Sequence, residues 1–227
     1  MISNDLTSPT PGPISVVAVP EIRDYGRINA QVALLLDSGQ SRIRLAGAEG
    51  QRLLLSGLNG PWRAVVEIEG RAGPELAASL DAPGLMVLCH GPAADGAGRG
   101  LRAGGLLITG DVGVAAGYAM TGGTLIVQGR AGPRAGLVMA GGVLVVGGNA
   151  DRLMGERQCG GLIFALGPQN GPHAGHGRRG GRLIALENLG KLDPAAAKTL
   201  HEALEGFTPW LEPTFAQLIN RLTQIDI

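Results

Sequence analysis

Short apolar runs recur along the middle of the chain, each opened by a pair of glycines. The pairs are Gly104-Gly105, Gly122-Gly123, Gly141-Gly142, Gly160-Gly161 and Gly180-Gly181, at spacings of 18, 19, 19 and 20 residues. The runs are Leu106-Leu107-Ile108, Leu125-Ile126-Val127, Val143-Leu144-Val145-Val146, Leu162-Ile163-Phe164 and Leu183-Ile184-Ala185. They are short, rich in Val, Ile and Leu, and bounded by glycine, so they read as strands. A period near twenty marks a solenoid, whose repeats bury their apolar sides only by stacking. The segments between strands, such as 111–117 and 129–136, lack helical periodicity and leave no room for a packed crossover helix. The fold class is therefore all-β, a parallel β-helix. Strand-ending glycines at 70, 91, 110, 129, 148 and 167 extend the repeat back to Val65 and Leu85. With the run at Leu183 this predicts seven strands, a stack roughly 30 Å long.

Strand parity assigns the faces. Counted from the second glycine, position +2 (Leu107, Leu125, Leu144, Ile163, Leu183) and position +4 (Thr109, Val127, Val146, Ala165, Ala185) are expected inside the coil. Position +3 is then expected outside, yet it holds Ile108, Ile126, Val145, Phe164 and Ile184. Such a column is not left in water, so it is the candidate interface.

The flanks follow other patterns. Residues 1–40 divide into an extended arm with Pro9, Pro11 and Pro13, and a short helix with Tyr25, Ile28, Val32 and Leu35 at helical spacing before Gly39. Arg42–Leu45 and Arg52–Leu55 look like strands but stand out of register with the later repeat, and 41–190 is taken as the β-helix. In the tail, 191–227, Asp193-Pro194 starts a helix that Gly206 stops, with Leu200, Leu204 and Phe207 on one side. A second helix is expected from Pro213, with Phe215, Leu218, Ile219 and Leu222 on its apolar side. Both are expected to cap the open end of the solenoid. Two short helices are too few to close that end and also shield the outward column, so part of the column is expected to contact another subunit.

Composition narrows the function. Thirty-nine glycines would suggest a disordered polymer, but 44% hydrophobic residues supply a core. Zero formal net charge and 3% aromatics give no support for an extended nucleic-acid surface. Two cysteines, Cys89 and Cys159, read as small core residues in a reducing compartment. With no secretory leader pattern and no apolar run long enough to span a bilayer, a cytoplasmic location is expected.

Catalytic signals are weak throughout. Gly175-His-Gly177-Arg-Arg-Gly180 spells a dinucleotide fingerprint, but a glycine pair and a strand follow where a helix N-terminus is needed. His173 and His176 lack further metal ligands nearby in sequence and read as corner residues, while His90 and His201 have no identifiable partner. Asp95, Asp111 and Asp151 sit at corners, where aspartate supports turns. No serine, cysteine or lysine stands beside a base as an activated nucleophile. No catalytic, cofactor-binding or metal residue is assigned, and no turnover is expected of the chain alone.

Segments 117–123, 136–142 and 155–161, each running from a corner glycine to a glycine pair, resemble the repeat of the GXGXG domain. Residues 66–73 resemble an early coil of that domain, and Arg27-Ile-Asn29 its entry. The resemblance implies a right-handed β-helix like the C-terminal domain of the glutamate synthase large subunit. Such domains also occur as free-standing subunits, in N-methylglutamate synthase and in formylmethanofuran dehydrogenase. In these complexes the β-helix holds catalytic partners in position. The resemblance implies a non-catalytic scaffold for glutaminase and flavin synthase subunits, with FMN and iron–sulfur clusters in the partners. A formylmethanofuran-dehydrogenase-like one-carbon complex is the alternative. The chain is expected to stand alone, which with its tail from Leu192 would set it apart from the fused enzymes.

Overall fold

Among the described residues, nine strands lie side by side in chain order in one parallel sheet. They are β1 Ser15–Ala18, β2 Arg42–Glu49, β3 Ala64–Arg71, β4 Asp81–Cys89, β5 Ala103–Ile108, β6 Thr121–Val127, β7 Gly141–Val146, β8 Leu162–Ala165 and β9 Arg182–Ala185. The computed structural model describes residues 13–213 and 215–217. The parallel β-helix expected from the repeat is thus present, with two strands more than the seven predicted. One is β1, in the stretch expected to be an extended arm; the other is β2, which pairs with β3 on both sides of a register shift between Leu45 and Ala48. Leu45 stands 23 residues before its partner Ile68, against 19 between Cys89 and Ile108, which is why Arg42–Leu45 looks out of step with the later repeat. Pro9 and Pro11 of the expected arm lie outside the described residues.

In the glycine pairs from Gly122-Gly123 onward, each glycine has its own reason. At Gly122 a Cβ would overlap the carbonyl oxygen of Arg102 in the preceding coil, while Gly123 has φ +68°. One glycine permits close approach of two backbones, and the next permits the left-handed turn into the strand.

Each coil also has a six-residue corner: 52–57, 74–79, 95–100, 114–119, 133–138, 152–157 and 172–177. Alternate residues there have positive φ, including Leu53 and Leu55, both at 58°. The expected strand over Arg52–Leu55 is therefore a corner. The strained conformation persists because successive corners bond to one another. Ala115 N–H donates to Pro133 O and Ala119 N–H to Leu137 O, both at 2.9 Å, toward the next coil, whereas Gly117 N–H donates back to Ala97 O at 2.8 Å.

The N-terminal end is closed by α2, Tyr25–Asp37, preceded by the short helix α1, Val19–Ile22. Asp24 caps α2 by accepting the Arg27 N–H at 2.9 Å. Ile28, Val32 and Leu36 are buried in the solenoid's interior cluster, while Tyr25 is exposed. Asn29 fixes the helix to the first corner, donating to Leu53 O at 2.9 Å and accepting the Leu55 N–H at 2.8 Å. Among the described residues, no helix is long and apolar enough to cross a membrane.

At the other end, no helix among the described residues forms the expected cap. The interior column Leu58, Leu80, Leu101, Met120, Met139 continues with Gln158, which is buried, and Arg178, which is exposed. The tail helix α3, Pro194–Glu205, instead lies on the outer face of the sheet, with Ala196, Leu200 and Leu204 buried there. The predicted second helix is helical at Pro213 and 215–217; Leu218, Ile219 and Leu222 lie outside the described residues.

Candidate functional site

The outward column is continuous, one residue different from expectation, and covered by the chain itself. Pairing aligns Leu88, Leu107, Ile126, Val145, Phe164 and Ile184 across β4 to β9. Ile126, Val145, Phe164 and Ile184 therefore stand where the pattern put them. Ile108 does not: it pairs with Val127 and belongs to the interior, while Leu107 takes the outward position and Thr109 leaves the interior column. The slip arises because Leu106 directly follows its glycine pair, whereas Thr124 separates Gly123 from Leu125. The spacing of 18 residues between those two pairs is its signature. Counting from the strand-ending glycines, 110 and 129, aligns Ile108 with Val127.

Ile126, Val145 and Phe164 are fully buried, and they pack in one cluster with Leu200, Leu204, Phe207 and Phe215 of the tail. The expectation that part of this column contacts another subunit is corrected accordingly. The described part of the tail packs on the outer face rather than over the solenoid end. Burial of each large side chain contributes on the order of 1.5–3 kcal/mol before ordering costs. Polar contacts set the tail's position. Asp193 caps α3 through the Ala196 N–H at 3.0 Å and pairs with Arg182. Those two contacts, the backbone N–H first, hold its carboxyl below the usual range. Farther along, Gln128 donates to Trp210 O at 3.1 Å and accepts the Glu212 N–H at 2.9 Å.

A polar cluster occupies the same sheet face at the N-terminal coils. Glu67 is 9% exposed and accepts from Arg42 Nη2 at 3.0 Å, with His90 Nε2 3.2 Å from its other oxygen. Burial pushes the Glu67 carboxyl up, but the hydrogen bonds and charges of Arg42 and His90 outweigh it, and the pKa is lowered. Sequence reasoning leaves His90 without a partner. Alternation in Val65-Val66-Glu67-Ile68 already puts Glu67 on the outer face, but the neighbouring strand positions come only from the register.

The other candidates resolve as local structure. Asp95 accepts the Val114 N–H at 2.8 Å and Asp111 the Arg130 N–H at 2.7 Å, so these corner carboxylates join successive coils; Asp151 accepts the Arg152 N–H at 2.6 Å. His173 and His176 are exposed in the last corner and His201 is exposed on α3. Gly175 and Gly177 of the fingerprint lie in that corner with positive φ, and β9 follows, so no helix N-terminus faces a phosphate there. Cys89 is buried in the core, where desolvation pushes its thiol up. Cys159 is exposed, contrary to its reading as a core residue. Among the described residues, no three His, Cys, Asp or Glu side chains stand together as metal ligands.

A family model of the GXGXG motif matches residues 43–205, from β2 to the end of α3. No curated protein is similar enough to the chain to count as a match.

Proposed function

Because the chain belongs to the GXGXG motif family, we propose that it is a non-catalytic scaffold subunit of a glutamate-synthase-like amidotransferase and oxidoreductase complex. The observation that carries this reading is the extent of the match, which runs through the coils and the tail helix rather than around a pocket. The side chains along those coils also have structural work: apolar columns fill the interior and the tail contact, and corner carboxylates bond to backbone N–H groups. In the proposed complex a glutaminase subunit releases ammonia and a flavin synthase subunit, holding FMN and an iron–sulfur cluster, consumes it. The β-helix holds the two in register. The complex works in the cytoplasm, where Cys89 and Cys159 remain thiols.

Purification of the tagged full chain from its native cells, followed by mass spectrometry, tests this. A glutaminase and a flavin-domain synthase in fixed stoichiometry is the expected result. A molybdopterin-type or amidohydrolase-like pair would place the chain in a formylmethanofuran-dehydrogenase-like complex instead. Recovery of the chain alone would overturn the scaffold reading.

A further inference from the structure

Among the described residues no further coil stacks on the last coil of the solenoid, and the charged side chains of that coil are arginines. Residues 157–186 contain no aspartate or glutamate but include Arg157, Arg178, Arg179 and Arg182, with His173 and His176 on the same coil. The corner 172–177 and the two arginines after it are exposed, apart from half-buried Gly175. In earlier corners the second and sixth residues donate N–H groups to the next coil, as Leu153 does to Pro172 O at 3.0 Å and Arg157 to His176 O at 2.8 Å. The equivalent N–H groups of His173 and Gly177, at φ 64° and 65°, have no further coil to meet among the described residues. Beneath them Gln158 is fully buried; its Nε2 donates to the carbonyls of Gly160, Gly161 and Arg182, while its Oε1 has no donor. A polar end cap needed only for solubility would carry both signs of charge. Here Asp193 of the tail pairs with Arg182, while Arg157, Arg178 and Arg179 form no ion pair among the described residues, in a chain whose net charge is zero.

We propose that the open C-terminal end of the solenoid docks an acidic, extended segment of a partner protein. Its backbone carbonyls accept the His173 and Gly177 N–H groups, and its carboxylates pair with Arg157, Arg178 and Arg179. Edge addition of this kind suits β9, which among the described residues has a single neighbour, β8, in the sheet. Backbone N–H groups in left-handed turns favour anions, and bidentate arginines favour carboxylates. The inference rests on the proposed scaffold role only in taking the partner to be a protein.

The test is a titration of the ¹⁵N-labelled full chain with a decaglutamate peptide and, separately, with a single-stranded DNA oligomer. The expected result is peptide-induced shifts at the His173 and Gly177 amides. Binding should weaken about tenfold or more in R178E/R179E but not in R52E/R71E, with both variants melting like the wild type. Absence of those shifts, equal weakening in both variants, or tighter binding of DNA than peptide would overturn it. Assembly of the native complex with R178E/R179E separates the two proposals. If it forms normally, the docking surface is elsewhere and the scaffold role stands. If the wild-type chain is recovered alone yet gives the expected shifts, the scaffold role fails and the acidic-segment site stands.

Discussion

The ring of Phe207 fills the space that a side chain at Gly105 would need: a Cβ there would overlap it. The same relation recurs one contact along, where a Cβ at Gly147 would come within 2.6 Å of the Phe215 ring. Both glycines face the tail, so they record in the sheet itself that the tail covers it. Gly105→Ala is expected to loosen the tail at a cost of about 1–3 kcal/mol through overpacking. Phe207→Ala, which empties the same space, is expected to cost about 3–5 kcal/mol. Hydrogen exchange of α3 measures both; unchanged protection in the two variants would contradict the packing.

Phe164→Asp puts a charge into a fully buried site between the sheet and the tail. The isolated chain is expected to lose about 3 kcal/mol or more, because the carboxylate has no partner there. A thermal melt of the purified chain reads this directly. An unaltered melting temperature would mean that the tail does not cover the column in solution.

Leu125 and Leu144 stand in register in the interior and are fully buried. Truncation of either to alanine is expected to destabilise the chain by about 2–5 kcal/mol, lost burial and cavity together. Denaturant unfolding with an unchanged slope would show that stability alone has altered.

The lowered Glu67 pKa sets the direction of an acid dependence. The stability it contributes is fully present above the unfolded-state value, about 4.3. It is lost as pH falls through the lower folded value. The stability difference between wild type and Glu67→Gln is thus expected to be largest above that pH and to close below it. A difference that grows on acidification would have the wrong sign.

Much of the solenoid is legible because the glycine pairs, apolar runs and corner glycines repeat at nearly one spacing. The exceptions have local physical causes. Leu107 and Ile108 exchange faces because one spacer residue is missing after Gly105, and a one-residue slip inverts every side chain on a strand. Arg52–Leu55 has strand composition but a corner's backbone, enforced by hydrogen bonds to the next coil that local propensity cannot reveal. The tail's helix α3 is readable from Asp193, Pro194 and Gly206, whereas its destination is not. Reaching it requires knowing that Gly105 lies beside Phe207, about a hundred residues away in the chain. The polar cluster of Arg42, Glu67 and His90 likewise depends on which strand positions become neighbours.

The scaffold role is tested most directly by reconstituting glutamine-dependent synthase activity from the separate subunits, with and without this chain. No turnover by the chain alone is expected, and omitting the chain should cost on the order of 10²-fold in activity, as when catalytic partners are no longer held in register. Full activity without the chain, or turnover by the chain alone that a single substitution among its own polar residues abolishes, would contradict it.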